Sequence, residues 1–231
     1  MWDFLKLIFQ KPKPFLSPIP SPIVAPQSPS PATSPTPPVQ QSSAHLPTRE
    51  EVGKVIEGMI EGTIETRLGA LKNIRETQGD NRSPEIDKLI CGHGGALGES
   101  YCQYGQQEIL DDLCKYYKID RKKLNLPIGG STQQVWNLVP REFKRQEPDV
   151  ACWVTWQHSN GWVGHVGMCL TKESNGHFRT FEFNTSLKAD GSVERNGQGA
   201  SYCSRSVVST GNMKIRGYTD VYTALIEAMK A

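Results

Sequence analysis

Between residues 48 and 148 apolar side chains recur at steps of three and four, and after Pro148 the step shortens to two. The first pattern predicts helices and the second strands, because one helix face returns every 3.6 residues whereas neighbouring strand residues point to opposite faces. Thr48 followed by Glu51 fits a capping box, and Val52, Val55, Ile56, Met59, Ile60 and Ile64 extend it into an apolar stripe. Gly53, Gly58, Gly62 and Gly69 interrupt that stripe, each costing about 1 kcal/mol relative to Ala, so a broken helical region over 48–76 is expected rather than one rod. Ser83-Pro84 is an N-cap followed by proline at the first helical position, and Ile86, Leu89 and Ile90 carry the helix it opens. A glycine-rich loop, GHGGALGES, leads into YCQYGQQEILDDLCKYY, where Ile109, Leu113 and Tyr117 share one face and Cys102 falls in the first turn. A further short helix is expected around Gln133 to Asn137.

Past Pro148 five runs, ACWVTW, WVGHVGMCL, HFRTFEFN, SYCSRSVV and MKIRGYT, are rich in β-branched and aromatic residues and are separated by turn clusters such as HSNG and KESNG. Helices first and hairpin-connected strands afterwards predict an α+β fold with a mostly antiparallel sheet.

Composition divides the chain further. Of the 16 prolines, 12 lie between Pro12 and Pro47. Residues 11–47 alternate Pro with Ser, Thr, Ala and Gln, which cannot bury a core and favours an extended, solvated spacer. Three domains of organisation result: a short apolar segment 1–10, a Pro/Ser-rich linker 11–47 and a folded domain 48–231. Trp2, Leu5 and Phe9, with Phe4 and Ile8 beside them, make residues 1–10 a candidate docking segment for a protein or a membrane. Charge follows the same division: Lys6, Lys11 and Lys13 against Asp3 in the tail, and 23 basic against 23 acidic residues in the rest. A neutral domain argues against a nucleic-acid partner, and no apolar stretch reaches the roughly 18 residues of a membrane span. The start lacks the features of a secretory signal, so synthesis in the cytoplasm is expected. Six cysteines are too few for a disulfide scaffold of this size, and reduced thiols are the default.

Candidate chemistry emerges from the strand faces. Val166, Met168 and Leu170 alternate with His165, Gly167 and Cys169, and Phe181 and Phe183 alternate with Glu182 and Asn184. A histidine, a carboxylate and an amide can therefore share a side. A cysteine in the first turn of a helix sits where backbone N–H groups and the dipole favour thiolate, the nucleophilic form. Cys102 as nucleophile, His165 as base and Glu182 as the group orienting the ring fill the roles of a nucleophilic triad, with Asn184 as a fourth candidate. The Cys102 N–H is a candidate oxyanion donor, and Tyr101 could add a hydroxyl.

These pieces together resemble the CHAP and NlpC-type cysteine amidases and endopeptidases of the papain-like class. The similarity covers roughly residues 68–210 and is carried by RETQGDNRSPEIDKLI, GESYC, GHVGM and FEFNTS, the last in the place of an E-G-N-T-S motif. Gln103-Tyr104-Gly105 depart from the small and aromatic residues that usually follow the cysteine, and Phe183 stands where the family has glycine. The resemblance implies a papain-like fold, helices packed on a five- to six-stranded sheet, and peptidoglycan as partner, with Cys102, His165 and Glu182 catalytic and no cofactor or metal. It further implies action at the cell wall in a phage or bacterial setting, as endolysins act. Rival expectations are a hydrolase of a non-wall amide and a catalytically inactive wall-binding or interaction module of the same fold.

Other residues invite other readings. Cys91, Cys114, Cys152, Cys169 and Cys203 are expected in the core. Cys91, His93 and Cys102 match no zinc spacing, and Gly94, Gly95 and Gly98 form no phosphate loop. His158 is the reserve base. Trp136, Trp153, Trp156 and Trp162 are divided between core and groove wall, with Trp162 a substrate-side candidate. Arg205 is a candidate for binding a peptide carboxylate, against the plainer expectation of an exposed strand arginine.

Overall fold

The structure, a computed structural model, describes residues 45–231 except 160, 162, 188–192 and 210–211. Contacts divide the chain into Met1–Ser43 and Ala44–Ala231. The segment 1–10 and the linker up to residue 44 lie outside the described residues, as does Trp162.

Among the described residues there are five α-helices: α1 (Arg49–Glu61), α2 (Pro84–Gly92), α3 (Cys102–Tyr117), α4 (Thr132–Leu138) and α5 (Val221–Lys230). Six strands, β1 (Lys144–Arg145), β2 (Cys152–His158), β3 (Gly164–Cys169), β4 (His177–Leu187), β5 (Val193–Ser206) and β6 (Met213–Asp220), form one sheet in the order β1-β6-β2-β3-β4-β5. Every neighbouring pair is antiparallel. The chain is thus α+β with an antiparallel sheet, and no helix among the described residues is long and apolar enough to cross a membrane.

Local chemistry sets the element ends. The Thr48 hydroxyl accepts from the Glu51 N–H at 3.2 Å while the Glu51 carboxylate accepts from the Thr48 N–H at 2.7 Å, closing the capping box. The expected helical region 48–76 is shorter than its apolar stripe. α1 stops at Gly62, whose φ of 82° is left-handed and whose absent Cβ would lie 2.7 Å from that of Ala70. Glycine is the residue that reaches this conformation without penalty. Beyond it only a single tight turn, 71–73, is helical, and Arg75 bridges to Gly199 of β5 instead. Ser83 caps α2 through Ile86 N–H at 3.1 Å.

The sheet separates two cores. Val52, Ile56, Met59 and Ile60 of α1, Ile86, Leu89 and Ile90 of α2, and Ile109, Leu110 and Leu113 of α3 pack on Trp153, Val166, Met168, Phe181 and Phe183. Burial of each such side chain is worth about 1.5–3 kcal/mol. The opposite face buries Cys152, Val154, Trp156, Cys169, Phe178 and Tyr218. The alternation read in the sequence therefore holds, but the second face is covered as well. α5 and β1 had no counterpart in the expected elements. α5 adds Val221, Ala224, Leu225 and Ala228 to the first core, and β1 is two residues long with no apolar side chain to signal it. All six cysteines are free, and Cys91, expected in the core, is exposed at the end of α2.

Candidate active site

The start of α3 is unusual in what it lacks. Tyr101 occupies the N-cap position without a side-chain cap, and the first turn holds no acidic residue. The positive end of the helix is thereby directed at Cys102, where a dipole favours an anion. Packing fixes the helix against the sheet. A Cβ on Gly105 would lie 2.1 Å from the Phe183 ring, so glycine on α3 makes room for phenylalanine on β4. Gln106 Nε2 donates to the Phe181 carbonyl at 3.2 Å. Tyr104 is seated likewise, since a Cβ on Gly95 or Gly130 would meet its phenol ring at 2.5 Å or less. The glycine-rich loop thus receives the helix that carries the nucleophile candidate.

Cys102, 5% exposed, comes within hydrogen-bonding reach of the 3% exposed His165 ring. His165 Nε2 lies 2.9 Å from Glu182 Oε2, leaving Nδ1 as the nitrogen available to Cys102. Burial alone would lower the His165 pKa, but the hydrogen bonds to Cys102 and Glu182 outweigh it and raise the value to about 9. Burial would push Glu182 up, yet Arg205 and His165 hold it down at about 2. Opposite Glu182 in the β3–β4 register stands Gly167, whose Cβ would lie 2.6 Å from Glu182 Cγ. A side chain there would occupy the carboxylate's place.

Three residues around this chain escaped the sequence analysis as site members, and a fourth, Trp156, was expected there only as core or groove wall. Thr132, at the start of α4, places Oγ1 3.7 Å from the Cys102 sulfur. Gln133 beside it donates to the Trp156 carbonyl at 2.9 Å and accepts from Arg216 at 2.7 Å, fastening α4 to the sheet. Thr180 donates to Glu182 Oε1 at 2.5 Å. Trp156, register partner of His165, stacks on its ring with centroids 5.7 Å apart. Only the Ser131 cap preceding Thr132 and the inward parity of Thr180 with Glu182 were signals available locally.

The remaining candidates are placed differently from expectation. Arg205 is neither an exposed strand arginine nor a free fork for a substrate carboxylate, because it grips Glu182 with Nε at 2.7 Å and with Nη2. Asn184 is buried with a left-handed φ of 54° at an irregularity in the β4–β5 register, and its Oδ1 has no hydrogen-bond partner among the described residues. The bulge breaks the alternation that put it beside Glu182, and β3–β4 pairing ends at Gly167–Glu182. Tyr101 is fully buried in the core, its hydroxyl towards Glu76, and presents nothing to solvent as an oxyanion donor. His158 lies at the end of β2 opposite Met213. His93 is engaged by Glu108 at 3.0 Å. Burial raises the thiols of Cys114 to about 11 and of Cys152 and Cys203 to about 12, and that of Cys169 well above its usual value.

A cavity of about 420 Å³ adjoins His165 and is lined by Trp156, His177, Ser204, Arg205 and Met213. A larger one of about 710 Å³ sits by Val55, Tyr117 and Met229, at the C-terminal end of α3, about 22 Å along the helix from Cys102 by the rise of about 1.5 Å per residue. Its lining includes His45, Lys54 and Tyr116 but neither Cys102 nor His165. A scan against protein-family models finds no match, and searches of curated proteins and of solved structures find none.

Proposed function

We propose that the chain is a cysteine hydrolase of papain-like architecture that cleaves amides through a thioester, with Cys102 as nucleophile, His165 as acid and base, and Glu182 as the residue that orients the ring. The observation that carries this reading is the continuous line from the Cys102 sulfur at a helix start, through a buried imidazole, to a buried carboxylate.

Each step uses a group in place. The Cys102 thiolate attacks the amide carbonyl carbon, and the carbonyl π electrons move to oxygen, giving a tetrahedral oxyanion. The N-terminal end of α3 is where that charge develops, and donors in such a place contribute on the order of 10²–10³ in rate. As the C–N bond breaks, the His165 imidazolium gives its proton to the leaving amine, a transfer worth typically about 10²–10⁴. Water, deprotonated by the now neutral His165, attacks the thioester and expels the Cys102 thiolate, which restores the starting state. The imidazolium required by the first half is supported by the raised His165 pKa of about 9.

Peptidoglycan stem peptide or the sugar–peptide junction is the proposed substrate, on the similarity of RETQGDNRSPEIDKLI, GESYC, GHVGM and FEFNTS to the CHAP and NlpC-type enzymes. Incubation with purified peptidoglycan is expected to release free amines or soluble fragments. Absence of release together with retained wall binding would instead favour a binding module.

A further inference from the structure

Four consecutive strands of the sheet each contribute one side chain to a closed ring of contacts. Trp156 of β2 stacks on His165 of β3; His165 meets Glu182 of β4; Glu182 is gripped by Arg205 of β5; and the Arg205 guanidinium lies 4.8 Å above the Trp156 ring. The last contact reaches from β5 at the sheet's edge across β4 and β3 back to β2. We infer that Arg205 is a positioning residue: it clamps the Glu182 carboxylate in the one orientation that presents Oε2 to His165 Nε2, and Trp156 holds the clamp in place.

The geometry argues for positioning over substrate binding. A guanidinium offers a rigid planar fork that matches both oxygens of a carboxylate. Arg205 spends Nε on Oε1 and Nη2 on Oε2 of the same residue. Glu182 is fully buried, and an ionised carboxylate so placed is costly unless its oxygens are satisfied. Thr180 supplies one neutral donor and His165 one more; Arg205 supplies the unconditional positive charge. Gly167, whose place for a Cβ is filled by Glu182 itself, offers no side chain to hold the carboxylate. Without the clamp, Glu182 is free to take up a proton or rotate away, and His165 loses the partner that fixes its ring.

The inference rests on the hydrolase reading for its kinetics but not for its spectroscopy. Full-length wild type, Arg205→Lys and Arg205→Gln would be compared, with folding checked by circular dichroism, the Lys variant keeping the charge without the fork. In ¹⁵N-histidine spectra without substrate, the pH at which the His165 ring loses its proton is expected to fall by about one unit or more in the Gln variant, and by less in the Lys variant. A rise, which loss of a neighbouring cation would cause if Glu182 stayed in place, or no change, would overturn the inference. On peptidoglycan, kcat is expected to fall at least about tenfold with KM within about twofold. A raised KM with kcat intact would mark Arg205 as a substrate ligand and overturn it as well. If wild type shows no hydrolysis, the enzyme reading fails while the His165 titration still decides the role of Arg205. If the Gln variant does not fold, the Lys variant decides it by the direction of its shift.

Discussion

Phe183 of β4 rests in the space that a Cβ on Gly105 of α3 would take, 2.1 Å from the ring. The helix bearing Cys102 and the strand bearing Glu182 are thereby set against each other by a pair of residues, neither of which does chemistry. Gly105→Ala is expected to destabilise the fold by about 1–3 kcal/mol through overpacking. Combining it with Phe183→Leu should recover part of that loss, read as a coupling of about 0.5–3 kcal/mol in a double-mutant cycle by urea unfolding. Strict additivity would mean that the contact does not seat the helix.

Gly167 faces Glu182 across the β3–β4 ladder at a separation that leaves no room for a methyl group. Gly167→Ala should therefore displace the carboxylate. Hydrolysis is expected to fall at least about tenfold, with secondary structure by circular dichroism unchanged. Full activity in a folded Gly167→Ala protein would show that Glu182 need not stand where it does.

The pH response follows from two opposed shifts. His165, raised from 6.5 to about 9, contributes stability that is complete below 6.5 and is lost as pH rises through 9. Glu182, lowered from 4.5 to about 2, contributes stability that is complete above 4.5 and is lost as pH falls towards 2. Denaturation midpoints should thus fall on both sides of a 4.5–6.5 plateau, and the alkaline part of the fall should shrink in Glu182→Gln. Hydrolysis should decline above about pH 9, where the imidazolium is lost, while Cys102 alkylation does not. A shared decline would contradict these roles.

Thiol labelling separates the cysteines. Burial raises Cys114, Cys152, Cys169 and Cys203 out of the reactive range, and Cys91 is exposed. In a Cys91→Ser background one equivalent of iodoacetamide is expected to react, at Cys102 by peptide mapping. An apparent pKa for that reaction near the free-thiol value of about 8.5 would count against an ion pair with His165.

Residues 48–148 and the strands beyond were legible because their periods are local properties of the chain. The Cys102, His165 and Glu182 positions were legible for the same reason, one from a helix start and two from strand parity. What stayed hidden depended on distance or on broken parity. Arg205 meets Trp156 across two intervening strands, and no local pattern encodes strand order. Asn184 shared parity with Glu182 on paper, but the bulge and its left-handed backbone cancel that parity. The end of α1 lay at Gly62, one of four glycines in the stripe; it alone among them combines a left-handed φ with a close neighbour, Ala70.

The central claim is that the Cys102 sulfur forms the covalent bond to substrate. Purified peptidoglycan treated in parallel with wild type and Cys102→Ala tests it most directly, with soluble fragments and new amino groups quantified. The account predicts release by wild type and none by Cys102→Ala, with fold and wall binding retained in the variant. Undiminished release by Cys102→Ala would contradict it.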